Sequence, residues 1–351
     1  MINKVYYALG TGAFTDSYAQ GLRVSNFDFP KPAVKTTYIN VPGRNGLIDL
    51  SESLTGSPVY ENINGTITFI VLKGASFDLK SFVNTYHGKI MRIYTDEDTT
   101  HYYIGRATVT AQTLKYGKLQ TFTLTMDAEP FLWSTTETTQ SFTVKTGATS
   151  IFTQTATANM ATGFPSVATK NITIKFQQTT PPSSQGSATY TFAVNDTKLY
   201  VLACTISASV ALSNTGYSIT TGNGTVYGTQ LIKPKSGDTT ATVKFYTGTS
   251  GYNVAFNNIC LIELQEVQRD TVANGVSSPY VVATKACQLY VFVNNDAVEP
   301  IPYTLAANTA CYVPDVNVLQ DAGGQTGIYI GMGLASSSGT ATLNYRRGVL
   351  A

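Results

Sequence analysis

Proton transfer needs groups that gain and lose protons near neutrality, and the chain has only two histidines, His87 and His101, with no serine or cysteine nucleophile motif beside either. His87 closes a helical pattern, where the dipole favours partial positive charge, and His101 begins a tyrosine-rich strand pattern. Both read as structural. Cysteines stand at 204, 260, 287 and 311 without a Cys-x-x-Cys pair for zinc or redox exchange, and each lies in a strand-like run, so all four read as small buried thiols. Asp96-Glu97-Asp98 gathers hard oxygens but lacks the spacing and glycine of a calcium loop, and reads as the polar tip of a hairpin. Gly331-Met332-Gly333 contains part of a dinucleotide fingerprint. Its third glycine, following helix and later acid are missing, so close packing of a strand at its glycines is the better reading. A glycosidase pair needs only two acids that meet in space, yet residues 141 to 351 hold nine acids, mostly in turn-like contexts. No catalytic, metal or cofactor-binding residue is therefore expected. Tyr217, Tyr227, Tyr246 and Tyr252 lie among Gly, Asn and Thr and offer rings on which apolar sugar faces stack, cross-strand pairing being the other use of such rings. Asn-x-Thr triplets at 64, 171, 195 and 223 are background in a threonine-rich chain.

The surrounding composition is that of strands. The 351 residues carry 23 Lys+Arg and 21 Asp+Glu, and the charged fraction of 13% is about half the average for a soluble protein, which argues against a broad electrostatic grip on nucleic acid. Gly (29), Tyr (22) and Phe (16) accompany abundant Thr, a mixture that favours pleated strands and tight turns. No apolar run reaches the length of a membrane span, and the amino-terminal stretch is too short for the core of a secretory signal. The expectation is a chain kept in the cytoplasm or leaving it without a signal.

Charge density drops partway along, from 24 charged residues in positions 1 to 140 to 20 in positions 141 to 351, beside a stretch with ten threonines between 135 and 157. This places a domain boundary near 140. In the first part, Leu79, Phe82, Val83 and Tyr86 fall at i, i+3, i+4 and i+7, predicting a helix over 77 to 87 with Ser76 as N-cap and Gly88 just beyond its end. Strands are predicted at 66–72, 90–95, 102–110 and 119–126. Beyond 140, residues 171 to 178 begin by alternating as a half-buried strand does, while 199–206, 259–264 and 289–293 are continuously apolar, as strands between two sheets are. Turn signals lie at 179–184, 221–224, 294–296 and 323–324. The fold class is mainly β: an amino-terminal β-sandwich with one packed helix and a hairpin (1–140), then one or two β-sandwich or jelly-roll units (141–351), with a possible inserted module at 180–268.

The first part carries a more specific pattern. Val41-Pro42-Gly43-Arg44-Asn45-Gly46-Leu47-Ile48-Asp49-Leu50-Ser51, Thr55-Gly56 and Tyr60-Glu61-Asn62 resemble the signature of the distal tail (Dit) proteins of long-tailed, non-contractile bacteriophages. His87-Gly88-Lys89, Tyr94 to Asp96, Tyr103-Ile104-Gly105-Arg106 and Asp127-Ala128-Glu129-Pro130-Phe131 follow in the family's order, and Ala341 to Leu350 is similar to its closing strand. The resemblance implies a non-enzymatic virion component of the tail tip, assembled in the host cytoplasm. Six copies would form a ring joining the tail tube protein to a tail-associated lysin or tail fibre protein in the baseplate. It also implies a galectin-like carboxy-terminal domain that in some relatives carries a receptor-binding protein or meets host cell-wall glycan. Pro42 fixes its own φ while Gly43 and Gly46 permit positive φ, so Pro42, Gly43, Arg44, Asn45 and Gly46 should form a tight loop projecting Arg44 either toward a neighbouring subunit or into its own. The alternative function is a carbohydrate-binding module for host recognition through residues 141–351.

Overall fold

The structure is a computed structural model that describes residues 2–40, 42, 45–51, 58–115, 118–146, 153–155, 172–175, 186–208, 216–247, 253–293, 299–316, 318–319 and 327–351. It is mainly β, with one α-helix among the described residues.

The amino-terminal unit is a ten-stranded sheet folded around one core. Its main path runs Thr15–Asp16, Val5–Leu9, Ile90–Thr95, His101–Lys115, Phe131–Ser134, Arg347–Leu350 and Gly275–Val276. The long strand His101–Lys115 also pairs with Lys118–Ala128, which leads to Ile63–Val71 and Leu22–Asp28. By changing partners along its length it joins two layers. Alternation sends Ile63, Ile67 and Phe69 of one strand and Phe122, Leu124 and Met126 of another inward, where they meet Val5, Leu22 and Ile93 in a single cluster. The helix Leu79–Tyr86 packs Phe82 on this cluster. Its N-cap is Asp78, not Ser76: Asp78 immediately precedes the first apolar position of the helical pattern, and its Oδ1 accepts the Lys80 N–H at 3.0 Å. Gly88 follows at φ +75° and donates its N–H to Ala107 O, turning the chain into the next strand.

The chain leaves this sheet after Phe131–Ser134 and enters an eight-stranded sheet at Thr138–Thr146. That strand lies parallel to Ile328–Ala335 and antiparallel to Gly339–Tyr345, with Cys287–Val293, Ile301–Leu305, Tyr280–Ala283 and Ala310–Tyr312 outside them. Its inner face buries Phe142, Val281, Leu289, Val291, Ile330, Met332 and Leu343.

Two further sheets stack on its other face. Ile172–Lys175, Asn253–Glu263, Tyr200–Ala208 and Leu231–Ile232 form a four-stranded layer, covered by a five-stranded one in the order Thr153–Thr155, Gly186–Ala193, Thr240–Thr247, Gly216–Thr221 and Gly224–Tyr227. The middle layer is buried on both faces, which explains its continuous apolar runs. Val201, Ala203, Cys260, Ile262 and Leu264 meet Tyr290 and Phe292 on one side, whereas Leu202 and Ile259 meet Tyr217, Ile219, Val243 and Phe245 on the other. Gly331 and Gly333 set the spacing: a Cβ at either would stand 2.5 Å from Leu264 Cδ2 or Ile262 Cδ1. The predicted turns at 179–184, 294–296 and 323–324 lie outside the described residues, as do 171 and 176–178.

The last strand, Arg347–Leu350, returns to the amino-terminal sheet between Phe131–Ser134 and Gly275–Val276. Polar clamps hold the segments that cross between the units. Arg346 pairs with Glu137 at 3.1 Å and donates to the carbonyls of Ser134 and Thr135, while Tyr280 Oη donates to Glu137. Asp270, its side chain fully buried, accepts from Arg347 Nε, Tyr345 Oη and the N–H groups of Val272 and Ala273.

Candidate assembly surface

The described residues between 33 and 61 leave the amino-terminal sandwich as a two-stranded ribbon. Bonds from Lys35 N to Val59 O and from Glu61 N to Ala33 O form its base, and Tyr38–Ile39 pairs with Ile48–Asp49 further out. Among the described residues the ribbon's sheet consists of these two strands. Val34, Tyr38, Ile39 and Leu47 are 46 to 57% exposed along it. Register puts Tyr38 and Leu47 on one face of the ribbon and Ile39 on the other, so large apolar side chains stand in water on both faces. Pro42, Asn45 and Gly46 stand exposed near its tip, with Gly46 at φ +80°, whereas Gly43 and Arg44 lie outside the described residues.

The residues that carry the family pattern meet at the foot of this ribbon. Asn62 Nδ2 donates to Asp127 Oδ1 at 3.0 Å, and the Tyr60 ring meets Phe131 edge-on. Glu129 accepts the Trp133 indole N–H at 2.7 Å, and Arg106 donates to the carbonyl of Gly88. Gly105 lets the neighbouring strand approach, since a Cβ there would lie 2.2 Å from Asp127 O. Pieces separated by up to about seventy residues in sequence thus fix the direction in which the ribbon leaves the sandwich.

The two histidines serve local structure. His87 Nδ1 accepts the Val109 N–H at 3.2 Å, and His101 Nδ1 lies 3.0 Å from Asp98 Oδ2 in the turn after Ile90–Thr95. Asp98 also accepts from the backbone and hydroxyl of Thr100. Its carboxyl is pushed up by partial burial and more than offset by Thr100 and His101, so it stays below the usual range. Among the described residues no group of three His, Cys, Asp or Glu could hold a metal ion. No helix among them is long and apolar enough to cross a membrane.

All four cysteines are free. Burial pushes the thiol of Cys204 up to about 12 and that of Cys287 up to about 11, and Cys260 is buried as well. Cys204 and Cys311 depart from the expectation of fully buried thiols, both being partly exposed, Cys311 on the edge strand Ala310–Tyr312. At pH 8 a thiol-specific disulfide reagent is expected to modify Cys311 promptly in the folded protein. Cys204 and Cys287, whose thiols burial pushes up to about 12 and 11, and Cys260, 2% exposed, should react far more slowly, chiefly on unfolding.

The four candidate tyrosines separate. Tyr217 is buried at 6% exposure, its hydroxyl bonded to Leu202 O and Thr229 Oγ1, so it has no ring face for a sugar. Tyr252 lies outside the described residues. Tyr227 and Tyr246 do share a face, the outward one of the five-stranded sheet. Register places Thr191, Thr242, Thr220 and Thr225 side by side across four strands there, with Lys244, Ser218 and Tyr227 in the next rank and Tyr246 over Gly216 beyond. Thr220 and Thr225 share a hydroxyl hydrogen bond of 2.8 Å.

No family model matches the sequence, and no curated protein matches it. Among solved structures, the chain is similar to the Dit protein of phage SPP1, described as a paradigm of hub adsorption apparatus in phages infecting Gram-positive hosts. Identity is 10%, coverage is 99% of both chains, and the TM-score is 0.35. It is also similar to chains of the phage p2 baseplate in its activated conformation, with strontium (11% identity, TM-score 0.31) and with calcium (12%, 0.30). Each covers 99% of this chain and 98% of that one.

Proposed function

We propose that the chain is a non-enzymatic structural hub of a phage tail tip, resident in the virion and working without a cofactor. Six copies form a ring through the amino-terminal unit. The ring continues the tail tube protein on one side and holds a tail-associated lysin or tail fibre protein on the other. The observation that carries this reading is the exposed apolar ribbon with the family pattern at its tip and foot. A protrusion of that kind gains stability only when a partner covers it, and a homomeric ring supplies a partner surface at every position.

Light scattering of the full chain behind a sizing column tests it. A ring of six has a mass of 6 × 37.7 = 226 kDa. The double substitution Ile39→Asp with Leu47→Asp, at two exposed positions, is expected to reduce the mass to 37.7 kDa while the monomer still melts cooperatively. A monomer at every concentration in both proteins removes the support the ribbon gives.

A second reading is favoured by the outward face of the five-stranded sheet. Its threonine rank, Lys244, Tyr227 and Tyr246 offer hydroxyl donors and acceptors with ring faces and no carboxylate, which suits a neutral or anionic host-wall glycan. A glycan array with the full chain and with Tyr227→Ala tests it. Spots lost in the variant would support a glycan-binding face; equal spots would remove it.

A further inference from the structure

The sequence holds four Asn-Gly pairs, at 45–46, 64–65, 223–224 and 274–275. In such a pair the glycine nitrogen can attack the asparagine side-chain amide, because glycine puts no Cβ in the way. The attack needs the asparagine backbone and carboxamide free to turn toward one another, so the fold decides which pair reacts.

Three of the pairs are held. Asn64 and Gly65 lie within Ile63–Val71 in register with Asp127 and Met126, and a Cβ at buried Gly65 would overlap the Phe29 ring, so the chain has no room to turn. Asn274 donates its N–H to Gly348 O at 2.8 Å and accepts the Leu350 N–H on Oδ1 at 3.4 Å, while Gly275 pairs with Gly348 against the Phe131 ring. Asn223 is exposed in a turn, yet its Nδ2 donates to Lys233 O at 3.0 Å and Gly224 pairs with Thr221. Asn45 and Gly46 differ from all three. Both are exposed and outside any strand, Gly46 stands at φ +80°, and a Cβ on it would meet no described residue within 4 Å. No hydrogen bond to another described residue holds the Asn45 carboxamide or the Gly46 N–H.

We propose that Asn45 is a modification site at which the chain deamidates without an enzyme, its co-reactant being water. Gly46 N, its proton given to hydroxide, bonds to Asn45 Cγ. The bond from Cγ to the side-chain nitrogen breaks, releasing ammonia and closing a cyclic imide. Water opens the imide at either carbonyl and leaves aspartate or isoaspartate, so that one amide and one water become one carboxylic acid and one ammonia. The new negative charge stands two residues from exposed Leu47. Like charges brought together across a homomeric contact repel. That consequence rests on the hub reading, whereas the site does not.

Peptide mapping by mass spectrometry tests it on the full chain held at pH 8 and at pH 6, with fragmentation locating each product. Asn45 is expected to convert at least about tenfold faster than Asn64, Asn223 and Asn274, whose surroundings must first open locally. Conversion should be faster at pH 8, because the attacking nitrogen must lose a proton, and in urea the four rates should converge. A rate at Asn45 no higher than at the other three in the folded chain would overturn the site, and so would the same order persisting in urea. Asn45→Gln, whose longer side chain closes the ring far less readily, is the control for association. Aged wild type that loses ring mass in light scattering while aged Asn45→Gln keeps it supports the effect of the charge. Equal loss in both removes that effect, and the mapping decides the site separately.

Discussion

Asp270→Ala is expected to cost about 3 kcal/mol or more near neutral pH, lowering the unfolding temperature by about 6–10 °C. The carboxylate is buried and satisfies four donors at once, so its removal strands the Tyr345 hydroxyl and two backbone N–H groups at the seam between the units. Arg347 is 45% exposed and can turn to water, which keeps the loss from being larger. The same site sets a pH dependence. Burial pushes the Asp270 carboxyl up, but Arg347, the Val272 and Ala273 N–H groups and Tyr345 outweigh it and hold the carboxyl below its usual 3.8. A group with a depressed folded-state pKa binds fewer protons folded than unfolded. Its contribution is therefore complete above about pH 4 and disappears as pH falls through the folded value. Calorimetric melts near pH 7 and near pH 3 should show the wild type and Asp270→Ala well apart at the first and closer together at the second. Asp270→Asn keeps the shape and one acceptor but turns an amide toward Arg347 and should fall between them. A difference that does not narrow in acid would remove the carboxylate's charge from the account.

Local periodicity and sequence-distant contacts were unequally legible. The helix was readable because Leu79, Phe82, Val83 and Tyr86 repeat at the helical period, and only its cap was misplaced, by two residues. Strands 200–208 and 287–293 were readable as doubly covered because their apolar runs do not alternate, and Gly331 and Gly333 because a glycine in a strand signals close approach. Tyr217 shows a signal that was present and not used. In Gly216-Tyr217-Ser218-Ile219-Thr220 the tyrosine shares parity with Ile219, which faces the core, whereas Tyr246 follows Phe245 and Tyr227 follows Val226, both inward. Alternation alone sends the first ring in and the other two out. The Asp270 clamp had no such signal, since its side-chain partners lie 75 and 77 residues away and no spacing marks them. The ribbon was hidden for another reason: its Val34, Tyr38, Ile39 and Leu47 are all exposed, so no alternation of buried and exposed positions marks it in the sequence.

Placing valine at both Gly331 and Gly333 is expected to destabilise the stack of three sheets by about 4 kcal/mol while leaving the amino-terminal sandwich folded. Each Cβ would stand 2.5 Å from a side-chain carbon of Leu264 or Ile262, and those side chains have no free space, being 5% and 0% exposed between two layers. Overpacking of this kind costs about 1–3 kcal/mol per site, and the two sites are next neighbours on one face, so their costs are coupled, not simply added. The middle layer must then move away from the eight-stranded sheet, exposing Tyr290, Phe292 and Cys260. Cys260 reports that movement directly: a thiol that is 2% exposed in the wild type becomes available to a disulfide reagent at neutral pH without global unfolding. Because Leu264 leads at once into Gln265–Glu266, which is paired with Ile328–Ala335, displacement of the layer also pulls on the eight-stranded sheet itself. The early melting transition should therefore involve both, with the amino-terminal unit, closed on its own core of Phe69, Phe122 and Met91, melting separately. If Cys260 stays protected and one unchanged transition is seen, the glycines are spacers of convenience and the contact between layers is softer than the geometry requires.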